Sequence, residues 1–173
     1  MVTAVPLTVL AVLLSAPPAT ASRIRDFVEP VLRVGNQTQK GSLEFETWAS
    51  ADGGFCSAGH SDGVGMFPKG LAVGPAPRGA SLRMRRAQRP REVFLQGWRA
   101  ADEDGFPVGR PEEVPFSLRS FTRNEVIAGY RLRFEVDPDP DLYLRLYVEW
   151  KDQGGCGVDE LAHLFHVNSS RRE

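Results

Sequence analysis

The side chains best able to do chemistry are concentrated in Cys56-Ser57-Ala58-Gly59-His60-Ser61-Asp62-Gly63. A thiol, two hydroxyls, an imidazole and a carboxylate fall within this one stretch. An imidazole near a carboxylate suits general-base work, and a thiol or hydroxyl is the nucleophile such a base activates. The other cysteine, Cys156, lies in Gly154-Gly155-Cys156-Gly157.

The run Ser57-Ala58-Gly59-His60 resembles the segment carrying the catalytic histidine of chymotrypsin-like proteases. The resemblance covers the eight residues from Cys56 to Gly63. It implies His60 as the base and Asp102 or Asp104 as the acid that orients it. The family's Gly-Asp-Ser-Gly-Gly is absent. The nearest counterpart is Asp152-Gln153-Gly154-Gly155-Cys156-Gly157, which would make Cys156 the nucleophile. A competing reading exists for the same sulfur. Two cysteines in an exported chain are first of all a disulfide, and an oxidised thiol cannot attack. The expectation is therefore a Cys56–Cys156 bond, no catalytic residue, and an inactive protease relative as the alternative.

Metal chemistry finds little support. The histidines are His60, His163 and His166. In a strand, residues three apart point to opposite faces, so His163 and His166 should diverge. Asp137, Asp139 and Asp141 alternate with Pro138 and Pro140, without the glycine and distal glutamate of a calcium loop. They read as a solvated turn. No metal and no cofactor is expected.

Arginine is the more informative residue. Lysine occurs only at Lys40, Lys69 and Lys151; every other cation among the 21 is arginine. Together with abundant Ala, Gly and Pro this points to a GC-rich, actinobacterial type of genome. Arg78, Arg83, Arg85, Arg86, Arg89 and Arg91 form a cluster that can present a positive stripe. Guanidinium grips carboxylate and phosphate through paired hydrogen bonds. The stripe either pairs with Glu112, Glu113, Glu125 and Glu135 or faces an anionic partner. Trp48 falls on the acidic side of its alternating segment, where an exposed indole suits sugar stacking or a protein contact. The formal net charge of -1 gives no general attraction to nucleic acid.

These groups have to be positioned by strands. Leu7 to Leu14 is an apolar run too short to span a bilayer, followed by Pro17, Pro18 and Ala19-Thr20-Ala21. Residues 1–21 thus read as a signal peptide cleaved before Ser22, although nothing before Arg23 is basic. Localisation is expected to be extracellular, with no stable membrane insertion.

Residues 22–41 form an N-terminal segment, a first strand or a short helical turn. Residues 42–167 form the domain, and 168–173 a polar tail. Alternation marks strands at 42–49, 80–87, 93–99, 114–118, 126–136, 142–150 and 161–167. Segments 126–136 and 142–150 read as one long antiparallel hairpin about the Asp-Pro turn. Residues 50–79, rich in Gly and Pro, read as a long loop with room for a short strand around Val64 to Phe67.

The expected fold is all-β, an antiparallel immunoglobulin-like sandwich of seven to eight strands with one disulfide. A closed β-barrel is the second choice. The expected function is recognition of a cell-wall component, glycan or protein. Arg83, Arg85, Arg86, Trp48 and His60 are the candidate surface.

Overall fold

The computed structural model describes residues 29–52, 55–63, 65–138, 141–151 and 156–169. The signal peptide and cleavage point expected over 1–22 lie outside these. The strands are β1 (Val31–Val34), β2 (Gln37–Lys40), β3 (Ser42–Asp52), β4 (Phe55–Asp62), β5 (Leu71–Val73) and β6 (Arg78–Met84). They continue with β7 (Glu92–Trp98), β8 (Glu112–Glu113), β9 (Ser117–Arg123), β10 (Val126–Val136), β11 (Leu142–Lys151) and β12 (Val158–Ser169). There is no helix among the described residues.

Two layers result. The first sheet has the order β2-β1-β6-β10-β9; the second runs β4-β3-β12-β11-β7-β8. All pairings on these two paths are antiparallel, and β5 joins the far end of β12 in parallel. The sheets keep open edges, so the fold is a sandwich and not a closed barrel.

Alternation explains the core. In β10, Tyr130, Leu132, Phe134 and Val136 are buried, while in β11 the buried set is Leu142, Leu144, Leu146, Val148 and Trp150. These faces meet Leu32, Leu82, Leu95, Phe165 and Val167 between the layers. Each leucine buried there contributes about 2 kcal/mol through removal of apolar surface from water.

The strands β10 and β11 are not the hairpin that their patterns suggest. β10 pairs with β6 and β9, whereas β11 pairs with β7 and β12. The link between them carries the chain from one layer to the other. Alternation reveals that one face is buried; it does not say which strand lies alongside. A stiff link with two prolines is poorly suited to the tight turn of a hairpin.

Three further expectations change. Residues 22–41 contain a hairpin, β1 and β2, joined through Gly35 at φ 61°. The stretch 50–79 is not one loop, because β3 runs on to Asp52 and pairs with β4, and a short strand falls at Leu71–Val73, with none at 65–67; Val64 lies outside the described residues. Asn168 and Ser169 are not tail but the end of β12, paired with Ala72 and Val73. Short, polar or glycine-rich strands account for the excess over seven or eight.

Candidate functional site

Cys56 and Cys156 are bonded, with Cα atoms 5.3 Å apart. The bond ties the edge strand β4 to the approach to β12. One end lies in the second sheet and the other just ahead of a strand of that same sheet, unlike the inter-sheet bridge of antibody domains. A disulfide of this kind persists in an oxidising, extracellular setting. Among the described residues, no helix is long and apolar enough to cross a membrane.

The arrangement implied by the protease resemblance does not form. His60 Nε2 lies 2.6 Å from Oδ1 of Asp62, two residues along the same strand, and both side chains are largely exposed. Asp102 is occupied in its own turn, where Oδ1 accepts the N–H groups of Asp104 (3.1 Å) and Phe106 (2.8 Å). The Cys156 sulfur is oxidised.

His163 and His166 diverge: His163 is buried in the core, and His166 Nε2 meets Oδ2 of Asp141 at 3.1 Å. Among the described residues no three His, Cys, Asp or Glu side chains converge on a metal position. Asp139 lies outside those residues.

Trp48 does not stand free. Opposite Gly59 in register, its indole lies across that glycine; a Cβ there would come within 2.2 Å of the ring. The indole is half-buried packing for the β3–β4 hairpin.

The arginine cluster divides. Arg86 turns to the structure. Its Nη2 reaches Oδ2 of buried Asp159 at 2.6 Å, and its guanidinium lies 4.6 Å from the Trp150 ring centroid. Arg83 and Arg85 project from the outer face of the first sheet, where they acquire company that the sequence alone does not show. Register places Lys40, Val31, Arg83, Arg131 and Arg119 in one row across all five strands. The adjacent row is Thr38, Arg33, Ser81, Arg133 and Ser117.

Like charges facing one another on neighbouring strands oppose folding by about 0.2–1 kcal/mol per pair. Here Arg83, Arg131 and Arg119 face one another on three adjacent strands. The Phe121 ring packs against two of them, with the guanidinium carbon of Arg83 at 4.4 Å and that of Arg131 at 5.8 Å from its centroid. Burial, then repulsion from Arg85, Arg131 and Arg123, lowers the Arg83 pKa, although an arginine stays charged in water. Its buried Nε has no hydrogen-bond partner among the described residues.

Among the described residues, carboxylates offset little of this charge. Among the described residues, none of Arg33, Arg83, Arg85, Arg119, Arg131 and Arg133 forms an ion pair. Lys40 does, with Glu29 at 2.8 Å, and the ammonium holds that carboxyl below its usual range. Of the acids expected to balance the stripe, Glu112 and Glu113 form β8 in the other sheet, and Glu125 sits in the β9–β10 turn. Only Glu135 shares the face, opposite Gly79. Arg33, Lys40, Arg83, Arg85, Arg131 and Arg133 border a trough of about 780 Å³ whose lining also includes Thr38, Ser81 and the Lys40-paired Glu29. Such a surface can grip several phosphate, sulfate or carboxylate groups at once.

Sequence reasoning found Arg83 and Arg85 but missed Arg33, Lys40, Arg119, Arg131 and Arg133 as their neighbours. The usable signal was an arginine at alternate positions of several strands; what lacked was strand order. Comparison with protein-family models, with curated proteins and with solved structures yields no match.

Proposed function

We propose that this chain is an exported, non-catalytic module that binds an anionic glycan or cell-wall polymer across the outer face of its five-stranded sheet. The carrying observation is the in-register row Arg83, Arg131 and Arg119, flanked by Arg33, Arg85 and Arg133 with no carboxylate partners among the described residues. Uncompensated repulsion is relieved when a polyanion supplies the missing charge. The extended row suits a polymer better than a single small anion. The disulfide fits a protein working outside the cell.

Calorimetric titration with heparin, polyphosphate and uncharged dextran tests the proposal. Both polyanions should bind, with affinity falling as salt rises, and dextran should not. Replacing Arg83 and Arg131 by Ala should weaken binding at least about tenfold, since charge-assisted hydrogen bonds contribute about 1.5–3 kcal/mol each. Binding that ignores salt, or survives the double substitution, would sink the proposal. Preference for duplex DNA over the polysaccharide would reassign the face.

A further inference from the structure

The outer face of the seven-stranded sheet has the opposite character. Residues aligned across β7, β11, β12, β3 and β4 form the row Phe94, Tyr147, Ala162, Phe45 and Asp62. Ala162 is the small member, and the rings of Phe45 and Tyr147 come together with centroids 6.3 Å apart. Phe94 continues the strip at 5.8 Å from Tyr147, and His60 extends its other end at 6.1 Å from Phe45. Phe94 is 45% exposed.

Both margins of this strip carry planar hydrogen-bonding groups. On one side lie Glu92, Glu149 and Glu160, aligned across three strands. Glu160 accepts the Tyr147 hydroxyl at 2.7 Å and the Thr47 hydroxyl at 3.1 Å. Burial and the Glu160 carboxylate raise the Tyr147 pKa, so the phenol stays protonated and donates. On the other side Arg145 pairs with Glu44 at 2.6 Å and lies 5.9 Å from the Phe45 centroid. Beyond it Phe67 packs edge-on to Tyr143 at 5.0 Å and closes that end.

An apolar strip one ring wide, edged by carboxylates and a guanidinium, matches the two-sided chemistry of a sugar. The C–H face of a pyranose lies on aromatic rings, and its hydroxyls donate to carboxylates around the rim. A protein partner would need a broader apolar centre. A polyanion would meet like charge at Glu92 and Glu160, while Glu149 is already paired with Arg91 at 3.2 Å. We infer that this face is a second binding site, for a saccharide chain bearing no acidic groups. It is independent of the basic face on the far side of the sandwich.

Saturation-transfer NMR and calorimetry on the intact chain test this, with β-1,4-linked hexasaccharides of glucose and of N-acetylglucosamine as probes. At least one probe should receive magnetisation at its C–H protons and should bind equally well at salt levels that release polyanions. Phe94→Ala, at an exposed position that folding tolerates, should weaken binding about fivefold to tenfold. Glu92→Gln, at an exposed carboxylate of the same margin, should weaken it while leaving the thermal midpoint near that of the parent. Arg83→Ala with Arg131→Ala should leave it unchanged, which separates this site from the polyanion face. Absence of transfer to both probes, or affinity unaltered by Phe94→Ala, would overturn the inference. So would displacement of the hexasaccharide by heparin in the Arg83→Ala, Arg131→Ala protein.

Discussion

Gln39 takes the place of a strand at His166. Its side-chain carbonyl accepts the His166 N–H at 3.1 Å, and its amide donates to the Lys69 carbonyl at 2.7 Å. This is where one edge of β12 passes from β3, which pairs up to Leu164, to β5, which begins at Val167. Gln39 belongs to the other sheet, so one side chain closes the gap and joins the layers.

Gln39→Ala should therefore cost about 1–3 kcal/mol, because it strands a backbone N–H in a partly buried position. Gln39→Glu keeps the acceptor for His166 but sets a carboxylate against the Lys69 carbonyl, and should also destabilise. Urea midpoints of the two variants measure this. Values equal to the parent's would remove the bridging role.

His163 makes stability depend on pH. It is 3% exposed, its Nδ1 has no hydrogen-bond partner among the described residues, and desolvation lowers its pKa to about 4 against the opposing pull of Glu29. The unfolded chain takes up this proton near pH 6.5, and the folded chain only near 4. Stability is thus complete above about pH 6.5 and is lost as pH falls through that window, by at most about 3 kcal/mol. In His163→Leu the fall between pH 6.5 and 4.5 should shrink. An unchanged slope there would show that other groups set it.

Arg86 and Asp159 form a pair that resists single substitution. Asp159 also accepts the Ala49 N–H at 2.9 Å, so its carboxylate anchors β3 as well as Arg86. Arg86→Met should cost about 2 kcal/mol, less than for a wholly buried pair because the arginine side chain keeps 22% of its exposure. Adding Asp159→Asn removes the orphaned charge while preserving the acceptor, and should recover part of the loss. A double-mutant cycle in guanidinium chloride reads the coupling; additive losses would mean there is none.

The β9–β10 turn is improvable. Asn124 and Glu125 both hold positive φ, at 50° and 65°. Asparagine tolerates that region, and glutamate does so at a cost of about 1–2 kcal/mol. Glu125→Gly should raise stability by about 0.5–1 kcal/mol, once the greater freedom of glycine in the unfolded chain is counted. A lower melting temperature for the variant would contradict the assigned strain.

How much of this was legible depends on range along the chain. The buried faces of β10 and β11 could be read because alternation is local. Their partners could not, since pairing is decided by which faces compete for the same core. Phe45 shows a subtler failure. Simple alternation puts Leu43 and Phe45 together, yet Leu43 aligns with His163 and Phe45 with Ala162, across an irregularity in register. One extra residue there sends Phe45 outward, and the aromatic strip depends on it. β4 escaped notice because Ser57, Ala58, Gly59 and Ser61 carry no apolar period; an edge strand held by Trp48 and a disulfide does not require one.

The crossover between β10 and β11 has a consequence for how the molecule can be divided. The first sheet draws on β1, β2, β6, β9 and β10, and the second on the strands between and after them. The two layers are thus threaded through each other along the chain. A cut anywhere in the middle leaves two fragments, each holding incomplete pieces of both layers and neither able to cover its own apolar surface. Folding must wait for nearly the whole polypeptide, and it should be slow, since distant partners have to meet before either layer closes.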